Sequence, residues 1–260
     1  MITLRCRIES CAPFPCATDG VSLALTNLLL LRPEDRWLDA CTVQLDDQRA
    51  HHIRTVLKAE LGAGLRAGLV GGKLGQAVVV ALGEEGVTLT VDFQDPPPAR
   101  HRFDIVLALP RPKMLRRVLR TVAEFGVAQL HLINTARVEK SYWQSPLLAP
   151  AKLEEALLAG MERASDTVMT QVHQHKLFRP FVEDRLRQIC ADRPCWIAQM
   201  GSEQSLRATP PGPALVMVGP EGGFVPFELE LAQRVIARPV HLGSRTLSVD
   251  TALTSVLAQG

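Results

Sequence analysis

The 260-residue sequence lacks any long apolar run and any cysteine pair at metal-binding spacing. Its longest apolar stretch, residues 21–31, is interrupted by polar side chains and is shorter than the ~20 residues that a membrane span needs. No apolar leader with a small-residue cleavage site opens the chain, so we expect a cytosolic protein. The six cysteines are then reduced thiols, and because none stands in a C-x-x-C pair we expect no bound metal.

Aromatic side chains and net charge are also scarce. Aromatic residues make up 5% of the chain, so a binding site built on several stacked rings is not expected. The formal net charge is only +2, and the hydrophobic fraction of 47% is that of an ordinary globular protein. This composition excludes a disordered chain and a coiled-coil rod, and the length suits two domains.

The first 95 residues are typical of a small β-barrel. Short apolar or β-branched runs at 65–70, 76–82 and 87–93 are separated by glycines. One helix is predicted among them, beginning near Asp46 or Asp47 and ending at Gly62. The proline run at 96–98 marks a domain boundary, so we predict domains at 1–95 and 101–260.

After residue 101 the pattern changes to strands that alternate with helices. This alternation predicts an α/β domain with a parallel sheet covered on both faces. The predicted strands are 103–109, 127–133, 195–200, 215–218 and 240–242. The predicted helices are 114–125, 153–164, 227–237 and 251–259, whereas His173 and His175 are expected in a solvated loop.

A glycine-rich turn, residues 219–223 with the sequence Gly-Pro-Glu-Gly-Gly, lies between a predicted strand and a predicted helix. Glycines let the backbone adopt positive φ and approach a ligand closely, and free N–H groups at a helix start suit an anion or an adenosine edge. The turn matches neither a G-x-G-x-x-G fingerprint nor a P-loop. We interpret it as a ligand-binding loop and not only as a tight turn.

A second motif, residues 242–252, follows the next predicted strand. Asp250 or Thr251 would cap the helix that begins there. For Asp250 that structural role is a fair alternative to a chemical one, and Arg245 could equally be a surface charge.

Basic side chains cluster between residues 101 and 150, which carry eight basic and three acidic groups. Such a patch suggests a face that meets phosphate, although a solvated helix face is the ordinary alternative. The clustered residues are Arg111, Lys113, Arg116, Arg117 and Arg120.

Together the two motifs resemble the signature of the SPOUT superfamily of RNA methyltransferases, and most closely the RsmE family of ribosomal small-subunit RNA uracil-N3 methyltransferases. The Gly-Pro-Glu-Gly-Gly-Phe stretch is complete through Phe224. The later Leu-Gly-x-Arg-x-Leu and Thr-Ala positions are matched within 242–252, and residues 51–58 look like the His-His…Val-Leu-Arg stretch of the family's PUA-like barrel.

The resemblance implies an N-terminal PUA-like barrel, a C-terminal domain with a deep trefoil knot, a homodimer, and bound S-adenosylmethionine that methylates N3 of a uridine in small-subunit ribosomal RNA. It assigns catalysis to Arg245 and Asp250. It assigns cofactor binding to Gly219, Pro220, Glu221, Gly222, Gly223, Leu242, Gly243, Leu247 and Thr251. RNA contact is expected at the five basic residues above and at His52 and Arg54.

Two further expectations concern packing. A Cβ at Gly222 is expected to enter the cofactor's space. The last predicted helix has apolar Leu253, Val256 and Leu257 with little charge beside them, and we expect this helix at the dimer interface.

The sequence also departs from the family pattern. Ser248 and Asp166 each replace an arginine, and Asp250 replaces a glutamate. Three alternatives therefore stay open beside the uracil-N3 reaction: an inactive RNA-binding paralogue of the same fold, a methyltransferase with another RNA target, and a metabolic α/β enzyme that uses the glycine turn for a nucleotide.

Overall fold

The computed structural model describes residues 27–260, which form two compact units. Unit 1 holds the described residues up to Pro97 together with Ser165–Val168, and unit 2 holds Pro98–Ala164 and Met169–Gly260. Three of the cysteines and the first part of the 21–31 stretch lie outside the described residues. Along residues 27–260, none of the helices is both long and apolar enough to cross a membrane.

Unit 1 is built on one six-stranded mixed sheet with the strand order β1-β4-β5-β6-β3-β2. The pairs are antiparallel except for β1 with β4. Burial alternates along β3 and β5, so the side chains of Val43, Leu45, Ala77 and Val79 all point into the same hydrophobic core. The strands are β1 (Leu29–Leu31), β2 (Arg36–Trp37), β3 (Thr42–Leu45), β4 (Gly64–Leu69), β5 (Leu74–Gly83) and β6 (Gly86–Asp95).

The helix of unit 1, α1 (Gln48–Thr55), begins where the sequence predicts. Asp47 is its N-cap, and the Asp47 side chain accepts a hydrogen bond from the Arg49 backbone N–H. The prediction that this helix reaches Gly62 is wrong. The backbone N–H groups of Val56 and Leu57 both turn back to one carbonyl, and Lys58 adopts a positive φ of 49°, which ends the helix.

Unit 1 also includes a short segment from much later in the chain, residues 165–168. The Thr167 carbonyl accepts a hydrogen bond from the Gly71 backbone N–H at 2.8 Å, and its hydroxyl donates to the Gly72 carbonyl at 2.6 Å. The Asp166 carboxylate accepts from the Val168 backbone N–H at 2.9 Å, so this aspartate stabilises the local turn.

Unit 2 contains a six-stranded sheet, in the order β12-β10-β11-β7-β8-β9, whose pairs are all parallel. The α/β prediction is therefore confirmed. Every residue of β7 and β11 is buried, as expected for central strands covered on both faces. The strands are β7 (Phe103–Ala108), β8 (Gln129–Ile133), β9 (Gln171–His175), β10 (Cys195–Ala198), β11 (Ala214–Val218) and β12 (Arg238–Val240).

The helices of unit 2 follow the predicted alternation, with one region that the sequence did not reveal. The main helices are α2 (Pro112–Glu124), α3 (Pro150–Ala164), α6 (Pro226–Val235) and α7 (Val249–Leu257). The unpredicted region is helical over 178–190 and comprises α4 (Phe178–Pro180), a π-helical stretch (Phe181–Leu186) and α5 (Arg187–Cys190). Its buried face packs Phe181, Val182 and Leu186 into the core of unit 2.

The apolar side of α7 lies inside the chain's own core. Leu253, Val256 and Leu257 are each at most 1% exposed, and α7 packs against α2 and β11. The expectation that these three side chains form a dimer surface is therefore wrong, because folding of this chain already removes them from water.

Three histidines cluster on β8 and β9, where a solvated loop was predicted for two of them. The loop prediction is wrong, since His173 and His175 pair in register with β8. The His131 Nδ1 lies 3.1 Å from the His175 Nε2, and the rings of His131 and His173 stack with centroids 4.6 Å apart. Within residues 27–260, no group of His, Cys, Asp or Glu side chains has a geometry suited to a metal ion.

Burial disfavours the charged form of His131. Its pKa is lowered to about 3, first by burial and then by the charges of His173, His175 and Arg193. Between pH 6.5 and 3 the unfolded chain therefore binds more protons at this site than the native protein does. The contribution of His131 to the free energy of unfolding is fully present above pH 6.5 and is lost as the pH falls.

We predict that the free energy of unfolding drops by about 2 kcal/mol between pH 6.5 and pH 5 because of this one imidazole. Urea unfolding at a series of pH values measures the slope. His131→Gln should flatten the slope, whereas His51→Gln, which changes an exposed histidine of α1, should leave it intact. Equal slopes in all three proteins would contradict the prediction.

Candidate functional site

The loops that follow five neighbouring strands of unit 2 meet at the carboxyl edge of its parallel sheet, where ligands of open α/β sheets usually bind. Two cavities open among these loops. The first, which we call the cradle, has a volume of about 310 Å³, and the second, the polar cavity, has a volume of about 230 Å³. Pro220, Glu221, Gly222 and Val249 line both cavities and form a common wall.

The cradle brings together most residues predicted to bind the cofactor. It is lined by the ends of β10 and β11, by the loop after β12, and by apolar side chains such as Phe224 and Leu229. Of the predicted residues, it is lined by Gly219, Pro220, Glu221, Gly222, Gly223, Leu242, Gly243, Arg245 and Leu247. Thr251 is not among the lining residues. It lies in the first turn of α7, and its hydroxyl lies 2.9 Å from the hydroxyl of Ser248, the N-cap of that helix.

The glycines of the cradle are required for different reasons. Gly223 and Gly243 have φ values of +71° and +133°, which L side chains rarely adopt. A Cβ at Gly219 would lie only 3.0 Å from the Phe224 ring. At Gly222 a Cβ would lie 2.9 Å from the Arg137 Cδ, so a side chain added there would have to displace Arg137. The expectation that it would also enter the cofactor's space stays a prediction.

One cradle residue that sequence reasoning missed is Gln199, directly after β10. Its Oε1 is buried and has no hydrogen-bond partner within the described part of the chain. A buried acceptor without a partner is unfavourable by about 1–3 kcal/mol, so a ligand that donates an N–H or O–H here would stabilise the site. Its place at the end of a buried strand was the only signal in the sequence.

Two side chains whose roles were not predicted from the sequence hold the glycine-rich loop and the residues that follow it in place. The Glu228 carboxylate, 3% exposed, accepts from the Ala136 backbone N–H at 2.6 Å and from the Val225 backbone N–H at 3.0 Å. The Arg137 guanidinium donates to the carbonyls of Gly222 and Gly223. The loop after β8 and the loop after β11 are thereby held together.

The polar cavity lies on the other side of this wall. The Arg111 guanidinium forms an ion pair with the Glu221 carboxylate at 2.8 Å, and the Tyr142 hydroxyl donates to the Glu139 carboxylate at 3.0 Å. Burial and the hydrogen bond to Glu139 raise the pKa of Tyr142, so its phenol stays neutral. Arg137 completes the polar lining.

Asp250 lines neither cavity. Its carboxylate accepts from the Ser248 hydroxyl at 2.6 Å and lies 3.5 Å from the Arg117 guanidinium. The hydrogen bond from Ser248, further backbone hydrogen bonds and the charge of Arg117 lower its pKa, which weakens it as a proton acceptor. The predicted capping role is wrong for Asp250 and Thr251, because α7 begins at Val249, two residues before the predicted start, with Ser248 as the N-cap.

The predicted phosphate-binding residues are exposed. Arg111 precedes α2, and Lys113, Arg116, Arg117 and Arg120 lie on its solvent side, while its apolar side is buried. His52 and Arg54 are exposed on α1 of unit 1, where the Arg54 guanidinium donates to the Gly83 carbonyl at 3.0 Å.

Comparison with known proteins adds three findings. A family model described as RNA methyltransferase domain matches residues 97–259. The chain is 28% identical over 244 residues to ribosomal RNA small subunit methyltransferase E of Treponema pallidum, with 89% of each chain covered. It is 25% identical over 245 residues to the Synechocystis protein of the same name, with coverage of 92% of this chain and 78% of the relative.

A solved structure shares the fold. Ribosomal RNA small subunit methyltransferase E from Neisseria gonorrhoeae, bound to S-adenosyl methionine, superposes with a TM-score of 0.70 at 19% identity. The match covers 90% of this chain and 95% of the solved one. At this identity the likeness concerns the fold.

Because the two carboxylate oxygens of Glu228 accept hydrogen bonds from two separate backbone segments, we predict that this side chain stabilises the fold. Glu228→Ala leaves two backbone N–H groups without acceptors and should lower the free energy of unfolding by about 2–3 kcal/mol. Glu230→Ala, which changes an exposed carboxylate on the same helix, is the matched control and should have little effect. Urea denaturation of both variants provides the measurement, and equal stabilities would show that the bridge contributes nothing.

Proposed function

The chain belongs to the family of RNA methyltransferase domains, and from that premise we propose that it transfers a methyl group from S-adenosylmethionine to N3 of a uridine in small-subunit ribosomal RNA. The observation that carries this proposal is the cradle. A loop of close-packed backbone, apolar walls and one unpartnered acceptor at the carboxyl edge of the sheet suits a nucleoside-type ligand, whose ring can pack on the apolar walls while its polar atoms meet backbone groups and the Gln199 Oε1.

S-adenosylmethionine fits the residues present. Backbone groups of Gly219, Gly222, Leu242 and Leu247 would hold it, and a donor N–H of the cofactor would meet the Gln199 Oε1. When bound, it supplies a methyl group on a positively charged sulfur that becomes a neutral thioether. Apolar walls from Phe224 and other side chains would exclude water from the reacting centre.

The protein's part in the chemistry is proton removal and charge stabilisation. The uracil N3 carries a proton at neutral pH, and we assign its acceptance to the Asp250 carboxylate, directly or through one water. Arg245, which lines the cradle, would stabilise the negative charge that develops on the uracil carbonyl oxygens. The lowered pKa of Asp250 makes it a weak base, so we expect slow transfer.

The proposal extends to RNA binding and assembly. The six strands of unit 1 would form a PUA-like barrel, unit 2 would carry the trefoil knot, and two copies would form a homodimer with RNA across both. The exposed basic residues of α2, with His52 and Arg54 of unit 1, would contact phosphates, and these contacts would supply most of the RNA affinity.

We predict that Gly222→Val abolishes binding of S-adenosylmethionine. The new side chain must displace Arg137, which frees the carbonyls of the glycine-rich loop and disorders the wall of the cradle. Isothermal titration calorimetry measures the affinity. Gly83→Val, at an exposed glycine with no atom near the added Cβ, is the control that should bind normally. An unchanged dissociation constant for Gly222→Val would show that the cofactor does not use this loop.

We further predict that purified protein transfers labelled methyl to N3 of uridine in small subunits from a strain that lacks the modification. Asp250→Ala should reduce the rate by about 10²–10⁴-fold while the cofactor affinity stays the same, as expected for loss of a general base. Mass spectrometry of the nucleosides identifies the product. Cofactor binding without labelled RNA would indicate the inactive RNA-binding paralogue, and label on another atom would indicate a different target.

A further inference from the structure

Two exposed arginines, one directly before α2 and one on it, are paired with carboxylates of the same chain. The Arg111 guanidinium lies 2.8 Å from the Glu221 carboxylate, and the Arg117 guanidinium lies 3.5 Å from the Asp250 carboxylate. Both arginines belong to the basic cluster that we expect to contact RNA phosphates. Two positive groups that suit a phosphate therefore already hold negative groups of the protein itself.

The two paired carboxylates belong to the two motifs that build the site. Glu221 lies in the glycine-rich loop and lines both cavities. Asp250 directly follows Val249, which lines both cavities too, and its helix α7 packs against α2. The face expected to bind phosphate and the site are therefore joined by these ion pairs. Of the two acidic partners, Asp250 is the one to which we assign a part in the reaction.

The two partners in the Arg117–Asp250 pair are held unequally. The Asp250 side chain is 20% exposed, and the Ser248 hydroxyl donates to one of its oxygens, Oδ1, at 2.6 Å. The other oxygen, Oδ2, faces Arg117, whose side chain is 72% exposed. Ion pairs exposed in this way are weak. A phosphate, which can accept two parallel hydrogen bonds from a guanidinium, competes well for Arg117 while Asp250 stays in place.

An exchange of partners by Arg117 changes the Asp250 carboxylate. The hydrogen bond from Ser248, backbone hydrogen bonds and the charge of Arg117 together lower the pKa of this carboxyl. A guanidinium that turns to a phosphate no longer stabilises the ionised carboxylate, so the carboxylate becomes a better proton acceptor. Its Oδ2 is then also open to the N3–H of a uridine or to one bridging water.

We propose that Arg117 is a positioning residue that couples RNA binding to release of the base: it holds the Asp250 carboxylate in the free protein, and an RNA phosphate draws it away. This inference rests on the proposed function and adds its regulation. The phosphate and Asp250 compete for one guanidinium, so the carboxylate is released at the step at which the substrate arrives. By linkage, a change that removes the charge of Asp250 must strengthen RNA binding through Arg117.

The first experiment measures that linkage by fluorescence anisotropy with a labelled oligouridylate at low salt. Asp250→Asn keeps the oxygen that accepts from Ser248 but loses the charge, and it should tighten RNA binding about two- to fivefold, the strength of an exposed ion pair. In an Arg117→Gln background the same change should have a smaller effect, because the contested guanidinium is gone. Glu183→Gln removes a carboxylate from an exposed helical ion pair and is the control for loss of one negative charge.

The second experiment measures methyl transfer to small subunits that lack the modification. Arg117→Gln should raise KM about two- to fivefold through loss of a phosphate contact and leave kcat within about twofold, because in the bound complex Arg117 has already left Asp250. Arg117→Lys, which keeps the charge, should restore KM. Thermal unfolding of each variant confirms that it is folded.

The outcomes separate this inference from the proposed function. An equal effect of Asp250→Asn with and without Arg117 would overturn the inference, since the two side chains would then not compete for RNA. A lower kcat at unchanged KM in Arg117→Gln would also overturn it, because Arg117 would then support Asp250 during the reaction. If the binding experiment shows the linkage but the wild-type protein transfers no methyl group, the exchange of partners stands and the enzymatic proposal fails.

Discussion

The buried carboxylate of Glu228 is the interaction on which the site depends. One of its oxygens accepts the Ala136 N–H and the other accepts the Val225 N–H, so a single side chain joins the loop after β8 to the start of α6. Without it, the Ala136 N–H and the Val225 N–H would lose the acceptor that joins these two segments. Arg137 adds a second link, this time to the glycine-rich loop: its cationic guanidinium donates hydrogen bonds to the loop carbonyls, whereas the anionic Glu228 accepts them from backbone N–H groups.

This double link explains how a loop rich in glycine can form a rigid wall. Glycine maximises backbone freedom, which disfavours a fixed conformation. Here the carbonyls of Gly222 and Gly223 are held by a guanidinium, and the helix that follows is held by a carboxylate. The wall that separates the cradle from the polar cavity is therefore preorganised, so a ligand bound against it would be held in a fixed position.

The resemblance and the alternation of strands and helices predicted the α/β class and the membership of the methyltransferase family, and comparison confirms both. Periodicity also located most elements of unit 2 within a few residues. It could not find Glu228 or Arg137, because their roles depend on partners about 90 residues away in sequence. The roles of Arg245 and Asp250 stay predictions. Burial of α7 was missed because an apolar helix face looks the same whether its own core or a second copy covers it.

The hydrogen bonds from Thr167 to the turn between β4 and β5 have a consequence for how the chain is made. They join residues 95 positions apart, so a ribosome has finished the first sheet long before the partner of Gly72 leaves the exit tunnel. Until then the Gly71 N–H and Gly72 carbonyl must be satisfied by water. The first unit to be synthesised is thus completed only after the whole of α3 has been synthesised, and its last contacts carry the loop-closure entropy of a long intervening chain.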